Sequence, residues 1–271
     1  MSYNTLKNSY LFSKIVPDHI EILVISISKI HAFSPDTQER YQTEKHGWLR
    51  RYRLPDGIRS QWIECDSDSG SDSDSGSGSY SGSGSCRDIQ VFNYPCTESF
   101  EPGIYQKTLL ALRDRLQYSN TSFFVRTNMS TYVLPNRLLK HLRQNAPVDP
   151  LVPYYSGVYC DPSYWIGGFG IILNRIAAQR LVEEGMKPKW FNQEGVADGV
   201  QIGRVMQQQC VVCDPNSPQL FYTWDYTKDT TFNLERIRGN KEVVFVRLRQ
   251  ENEWKKDRYI EAINMLNKFN E

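Results

Sequence analysis

The chain has 271 residues and a mass of 31.5 kDa, with 39% hydrophobic and 23% charged residues and 6 Trp, 16 Tyr and 12 Phe. That is enough apolar material for one sizeable core, and it excludes wholesale disorder, collagen and coiled coil. With 32 Lys and Arg against 31 Asp and Glu the formal charge is +1, so the basic field of a general nucleic-acid binder is missing and no polyanionic partner is expected.

Met1 to His19 is polar and lacks the cationic start, apolar centre and small-residue cleavage site of a signal peptide. Ile20 to Ser28 (IEILVISIS) is short and β-branched, which predicts a buried strand, and it falls far short of the roughly 18 to 20 residues of a membrane span. A cytoplasmic location is the resulting expectation. In a reducing compartment the six cysteines, Cys65, Cys86, Cys96, Cys160, Cys210 and Cys213, are expected as free thiols. Asp66 to Ser85, made of Ser, Gly and Asp with the single aromatic Tyr80, predicts a disordered, solvated loop inserted into one domain spanning 1–271. Cys65 and Cys86 flank it and could meet at its base only in oxidising surroundings.

Ile89 to Asn93 predicts a further strand, Gly103 to Gln117 a helix, Ser122 to Arg126 (SFFVR) a central strand and Pro135 to Arg143 another helix. Tyr164 to Leu173 is an apolar segment interrupted by glycines. Helices follow at Arg175 to Glu184 and Gly199 to Gln208, a strand at Val243 to Leu248 and a terminal helix at Trp254 to Phe269. Strands alternating with helices give an α/β layered domain with a largely parallel sheet, whose ligand lies beyond the carboxyl ends of the strands.

Those strand ends carry the informative residues. After SFFVR comes Thr127-Asn128-Met129-Ser130-Thr131-Tyr132-Val133 and then Leu134-Pro135. This order resembles the segment of fringe-like and β-1,3-galactosyltransferase-like sugar transferases in which a strand runs into Asp-x-Asp, an aromatic-Val pair and a helix. Here the acids are absent, and Arg-Thr-Asn-x-Ser is similar to the variant in relatives from bacteria and large DNA viruses. Glu98-Ser99-Phe100 with Lys107-Thr108-Leu109 resembles the family's Asp-Ser-Tyr and Lys-Thr pair. Tyr154-Tyr155-Ser156-Gly157 before Trp165-Ile166-Gly167-Gly168-Phe169-Gly170 resembles its small-residue turn under the acceptor pocket. Asp198-Gly199-Val200-Gln201-Ile202-Gly203 resembles Asp-Asp-Val-x-Ile-Gly, and Ser28, Arg40 and Trp48 more faintly resemble a pattern around the nucleotide. The strength lies in the shared order over about residues 20 to 250.

The resemblance implies a GT-A fold, a Rossmann-like α/β sheet holding a nucleotide-sugar at its strand ends, and transfer of a hexose from a UDP-sugar to a hydroxyl of a glycan or glycoprotein, with inversion. Asp198 is then the base that takes the acceptor proton. Ser28, Arg40, Lys107, Arg126, Asn128 and Ser130 are then around the nucleotide-sugar, and Trp165, Gly167 and Gly168 by the acceptor. Asp198 stands one place earlier than the family's base; Glu194 is an alternative, and an Asp there also suits a helix cap. The family's motif holds a divalent cation, manganese or magnesium. An amide oxygen such as that of Asn128 is a weaker, neutral ligand, so metal dependence stays open. Without a cation the diphosphate needs basic groups, for which Lys107, Arg126, Arg247 and Arg249 are candidates. The lost acids also leave a degenerate nucleotide-sugar-binding or scaffold protein as the alternative.

Other signals carry less. Asp66-Ser67-Asp68 and Asp72-Ser73-Asp74 match Asp-x-Asp only within the low-complexity insert, Cys210-x-x-Cys213 lacks a second pair for zinc, and Gly167-Gly168-Phe169-Gly170 lacks dinucleotide-fold spacing. Among the aromatic residues at 154, 155, 159, 164, 165, 222, 224 and 226, most are expected in the core.

Overall fold

The computed structural model of the chain describes residues 19–26, 43, 45, 54–65, 90–96, 98–99, 101–158, 166–216, 218–223, 230–248 and 256–268. Its main sheet has six strands in the order β3-β2-β1-β4-β7-β6. These are β1 (Ile20–Ile25), β2 (Ile58–Cys65), β3 (Gln90–Tyr94), β4 (Phe123–Asn128), β6 (Tyr155–Gly157) and β7 (Ile171–Asn174). The first four run parallel, β7 is antiparallel to β4, and β6 is antiparallel to β7, so only β7 runs against the rest. A smaller sheet joins β5 (Thr131–Val133), β9 (Val243–Leu248) and β8 (Gln219–Thr223) in the order β5-β9-β8. The mixed, mostly parallel sheet flanked by helices is the architecture the sequence predicts.

The inner strand β1 is buried on both sides, which is why it reads as a nearly unbroken apolar run. Its alternate residues serve two cores. Ile20, Ile22 and Val24 join Trp62, Val125 and Ile172 beneath α2 (Pro135–Asn145), β9 and α7 (Lys256–Lys268). Leu23 and Ile25 join Phe124 and Leu173 beneath α1 (Gly103–Tyr118), α3 (Arg175–Gly185) and α5 (Asp198–Gln208). Two short helical segments, α4 (Pro188–Phe191) and α6 (Thr230–Gly239), complete the described elements.

Polar groups pin helices to the sheet. Arg115 of α1 donates from Nε and Nη2 to the two carboxylate oxygens of Glu21 on β1, both at 3.0 Å, in a buried two-pronged pair. Arg175 donates to the carbonyls of Leu116, Ser119 and Thr121, closing the carboxyl end of α1. Arg137 does the same for α6 through the carbonyls of Ile237, Asn240 and Val243.

The cysteines depart from expectation. Cys65 and Cys96 form a disulfide, with Cα atoms 5.3 Å apart, and Cys213 is also disulfide-bonded. Parallel pairing of β2 with β3 sets Cys65 opposite Tyr94, so Cys96, two residues on, reaches it; Cys86 is not its partner. Cys210 is free and exposed. The insert at 66–85 lies outside the described residues. Among the described residues no helix is long and apolar enough to cross a membrane.

Candidate functional site

The reversed strand brings the predicted segments together. Because β7 is antiparallel to β4, with Arg126 opposite Ile171, the turn entering β7 lies at the carboxyl end of β4. That turn is Gly167 to Gly170. Arg126, nearly fully buried on β4, donates from Nη1 to the carbonyl of Gly168. Its Nη2 pairs with Asp198 Oδ2 at 2.5 Å. The Asp198 side chain keeps 15% of its exposure against 3% for Arg126, so solvent or ligand reaches the carboxylate and not the guanidinium behind it.

Asp198 opens α5, where a carboxylate sits well with the helix dipole. The helix cap is Ala197, and no side-chain hydrogen bond caps it; the Asp198 side chain is turned to Arg126 and does not act as a cap. A Cβ on Gly199 would lie 2.3 Å from the carbonyl oxygen of Ile166. The glycine standing where the resemblance has a second acid is therefore a requirement of close packing between α5 and the Gly167–Gly170 turn. A Cβ on Gly168 would lie 2.9 Å from Arg126 Nη1 and 3.0 Å from Asp198 Oδ1, so the charged pair packs directly against this glycine and a side chain there would displace it. Glu194 is exposed in the loop before α5.

Two buried polar atoms, one of the pair itself and one on β6, are unmet. Arg126 Nε and the Tyr155 hydroxyl are buried and have no hydrogen-bond partner among the described residues. Burial, with Asp198 adding to it, raises the Tyr155 phenol above its usual range. Neighbouring Tyr154 is ordinary core: it packs edge-on to Phe123 with centroids 6.2 Å apart and meets His141 Nε2 at 3.2 Å.

Lys107 and Glu98, paired by the resemblance, touch: Nζ lies 2.7 Å from Glu98 Oε1 and also donates to the carbonyl of Ser26, just beyond β1. The amine is fully buried, and burial pushes it below the usual lysine range against the pull of Glu98. It braces the strand ends from below. Ser99 Oγ accepts from the Gly103 backbone N–H at 3.0 Å, steadying the start of α1. On the adjacent strand end Glu64 accepts from Lys45 Nζ and Trp62 Nε1, each at 2.7 Å, a contact no sequence signal pointed to.

Asn128 ends β4, and its Oδ1 accepts from Ser130 Oγ at 3.0 Å and Thr131 Oγ1 at 2.8 Å. The residues in the Asp-x-Asp place thus bond to each other. This donor set is neutral, an amide oxygen and two hydroxyls where the resemblance has carboxylates, and so a weak one for a divalent cation. Among the described residues no group of three or more His, Cys, Asp and Glu could hold a metal ion. Ser28, Arg40, Trp165 and Arg249 lie outside the described residues.

No family model and no curated protein matches the chain. Among solved structures, one that it is similar to is a glycosyltransferase involved in the glycosylation of the major capsid of PBCV-1, at 11% identity, covering 91% of this chain and 99% of that one, with a TM-score of 0.38. So distant a likeness carries no conclusion about the cleft.

Proposed function

We propose that the chain is a glycosyltransferase that moves a hexose from a UDP-sugar to a hydroxyl of a glycan or glycoprotein, with inversion. The observation that carries this reading is the Arg126–Asp198 pair beneath Gly168, at the strand ends of an α/β sheet. In the reaction the acceptor oxygen forms a bond to the anomeric carbon, the bond from that carbon to the diphosphate oxygen breaks, and the acceptor proton passes to Asp198. Arg126 holds Oδ2 while Oδ1 lies beside Gly168, so the carboxylate is fixed in place before the acceptor arrives. Gly167 and Gly168 leave room for the acceptor, as the resemblance implies.

A second reading is binding of the nucleotide-sugar without turnover, favoured by the neutral Asn128–Ser130 pair. Asp198→Asn separates the two. It should cut transfer, or slow UDP-sugar hydrolysis, by about 10²- to 10⁴-fold while a thermal shift with UDP persists. A rate unchanged by the substitution removes Asp198 from the reaction, and a chain with no turnover at all but an intact UDP shift is the binder.

A further inference from the structure

We propose that His141 is an acid-sensitive latch, which fastens the carboxyl end of α2 to the start of β6 while its ring is neutral and releases it when the ring takes a proton. His141 lies on the buried side of α2 with Leu138 and Leu142 and is 5% exposed. Both ring nitrogens are engaged. Nε2 is 3.2 Å from the Tyr154 hydroxyl, and Nδ1 is 3.2 Å from Nδ2 of Asn145, the last residue of the helix. A second bond orients the Asn145 amide, since its Nδ2 also donates to the His141 carbonyl at 3.0 Å. Turned over, the amide would set its oxygen against that carbonyl. An amide nitrogen donates and does not accept, so Nδ1 is the acceptor and the ring is the Nε2–H tautomer, donating to the Tyr154 oxygen. A second proton would go on Nδ1, where it would face the Asn145 N–H groups and find no acceptor. The geometry admits the neutral ring and opposes the cation.

The surroundings act in the same direction. Tyr154, just before β6, is a phenol that burial keeps neutral. Asp214 after α5 and Glu242 before β9 favour a charged ring, but burial outweighs both and holds His141 below the usual histidine range. Arg137, one turn earlier on α2, is engaged with the carbonyls of Ile237, Asn240 and Val243. Tyr154 is fixed in turn to the end of β7: its N–H donates to Asn174 Oδ1 at 2.9 Å, and Asn174 Nδ2 donates to the Val152 carbonyl at 2.7 Å. The His141 ring therefore ties together the two residues, Asn145 and Tyr154, that flank the exposed loop 146–153. Its response to pH has a definite sign. Above about pH 6.5 the ring is neutral whether the latch is open or shut, and pH changes nothing. Below it a released His141 takes up a proton that the closed one refuses, so the open form gains about tenfold for each unit of pH until the closed ring titrates too.

The test joins histidine NMR on the full chain with hydrogen exchange over residues 135–154, both followed from about pH 7.5 to about 5.5. His141 is the one of the four histidines whose ring signals move in Tyr154→Phe. The expected ring is the Nε2–H tautomer with a midpoint below that of a free histidine. The opening constant, once the intrinsic pH dependence of exchange is taken out, should rise about tenfold from about pH 6.5 to about 5.5. In Asn145→Ala the donor opposing Nδ1 is gone, so the His141 midpoint should climb toward about 6.5 and the rise in opening should shrink. An Nδ1–H tautomer, or a midpoint at or above the free value, overturns the proposal. So does an opening constant that stays flat in acid, or a midpoint that Asn145→Ala leaves in place.

Discussion

Gly199 is a position where chemistry and packing compete for one Cβ. Any side chain there starts 2.3 Å from the Ile166 carbonyl, and that oxygen belongs to backbone that cannot swing away. Gly199→Ala should therefore destabilise the fold by about 1 to 3 kcal/mol, the usual cost of overpacking, seen as a lower midpoint in denaturant at unchanged slope. Stability equal to the parent would mean that α5 can slide away from the turn. The same logic accounts for what the sequence could and could not show about the cleft. Asp198, Gly168 and Arg126 were visible one by one through their resemblance to a family pattern. Their contact was not, because it depends on the reversed direction of β7, which no local pattern encodes. Nor could the sequence show that Asn128 and Ser130 bond to each other, since that is a matter of side-chain direction at the end of β4.

Elements with strong periodic or apolar patterns were legible, and those built on polar residues were not. The β-branched run of β1, the apolar run in β4 and the amphipathic α3 and α5 appear close to their predicted limits. β2 escaped because Ser60 and Gln61 are buried inside it and break the apolar run. β5 and β6 are three residues each, too short to carry a period, and exist because longer strands hold them. The tie between α1 and β1 is also invisible locally, as Glu21 looks like an interruption of a strand until Arg115 meets it. Arg115→Ala should cost about 3 to 5 kcal/mol by leaving the Glu21 carboxylate buried and alone. The double variant with Glu21→Leu should recover much of that loss in chemical denaturation. A double variant no better than the single one would show that lost packing, rather than an unpaired charge, sets the cost.

At the scale of the whole molecule, the Cys65–Cys96 bond closes a chain segment with a sequence separation of 31 that contains the polar insert. The expectation of free thiols followed from assuming a reducing compartment, and disulfides persist in oxidising ones, so cysteine content no longer argues for the cytoplasm. Cross-linking a loop of that length restrains the unfolded chain by about 3 to 4 kcal/mol. C65S/C96S should accordingly unfold roughly ten degrees below the parent under non-reducing conditions, and a thermal midpoint that does not move would show that the bond adds nothing. The pairing of β5 with β9 has a different consequence, one for biosynthesis. Thr131, three residues beyond Asn128, pairs with Arg247, which the ribosome adds more than a hundred residues later. A nascent chain can lay down β1 to β4 and their helices while still tethered, but β5 waits for β9 to emerge, so a product cut short before Val243 would carry Asp198 and yet lack the strand that pairs with Thr131–Val133.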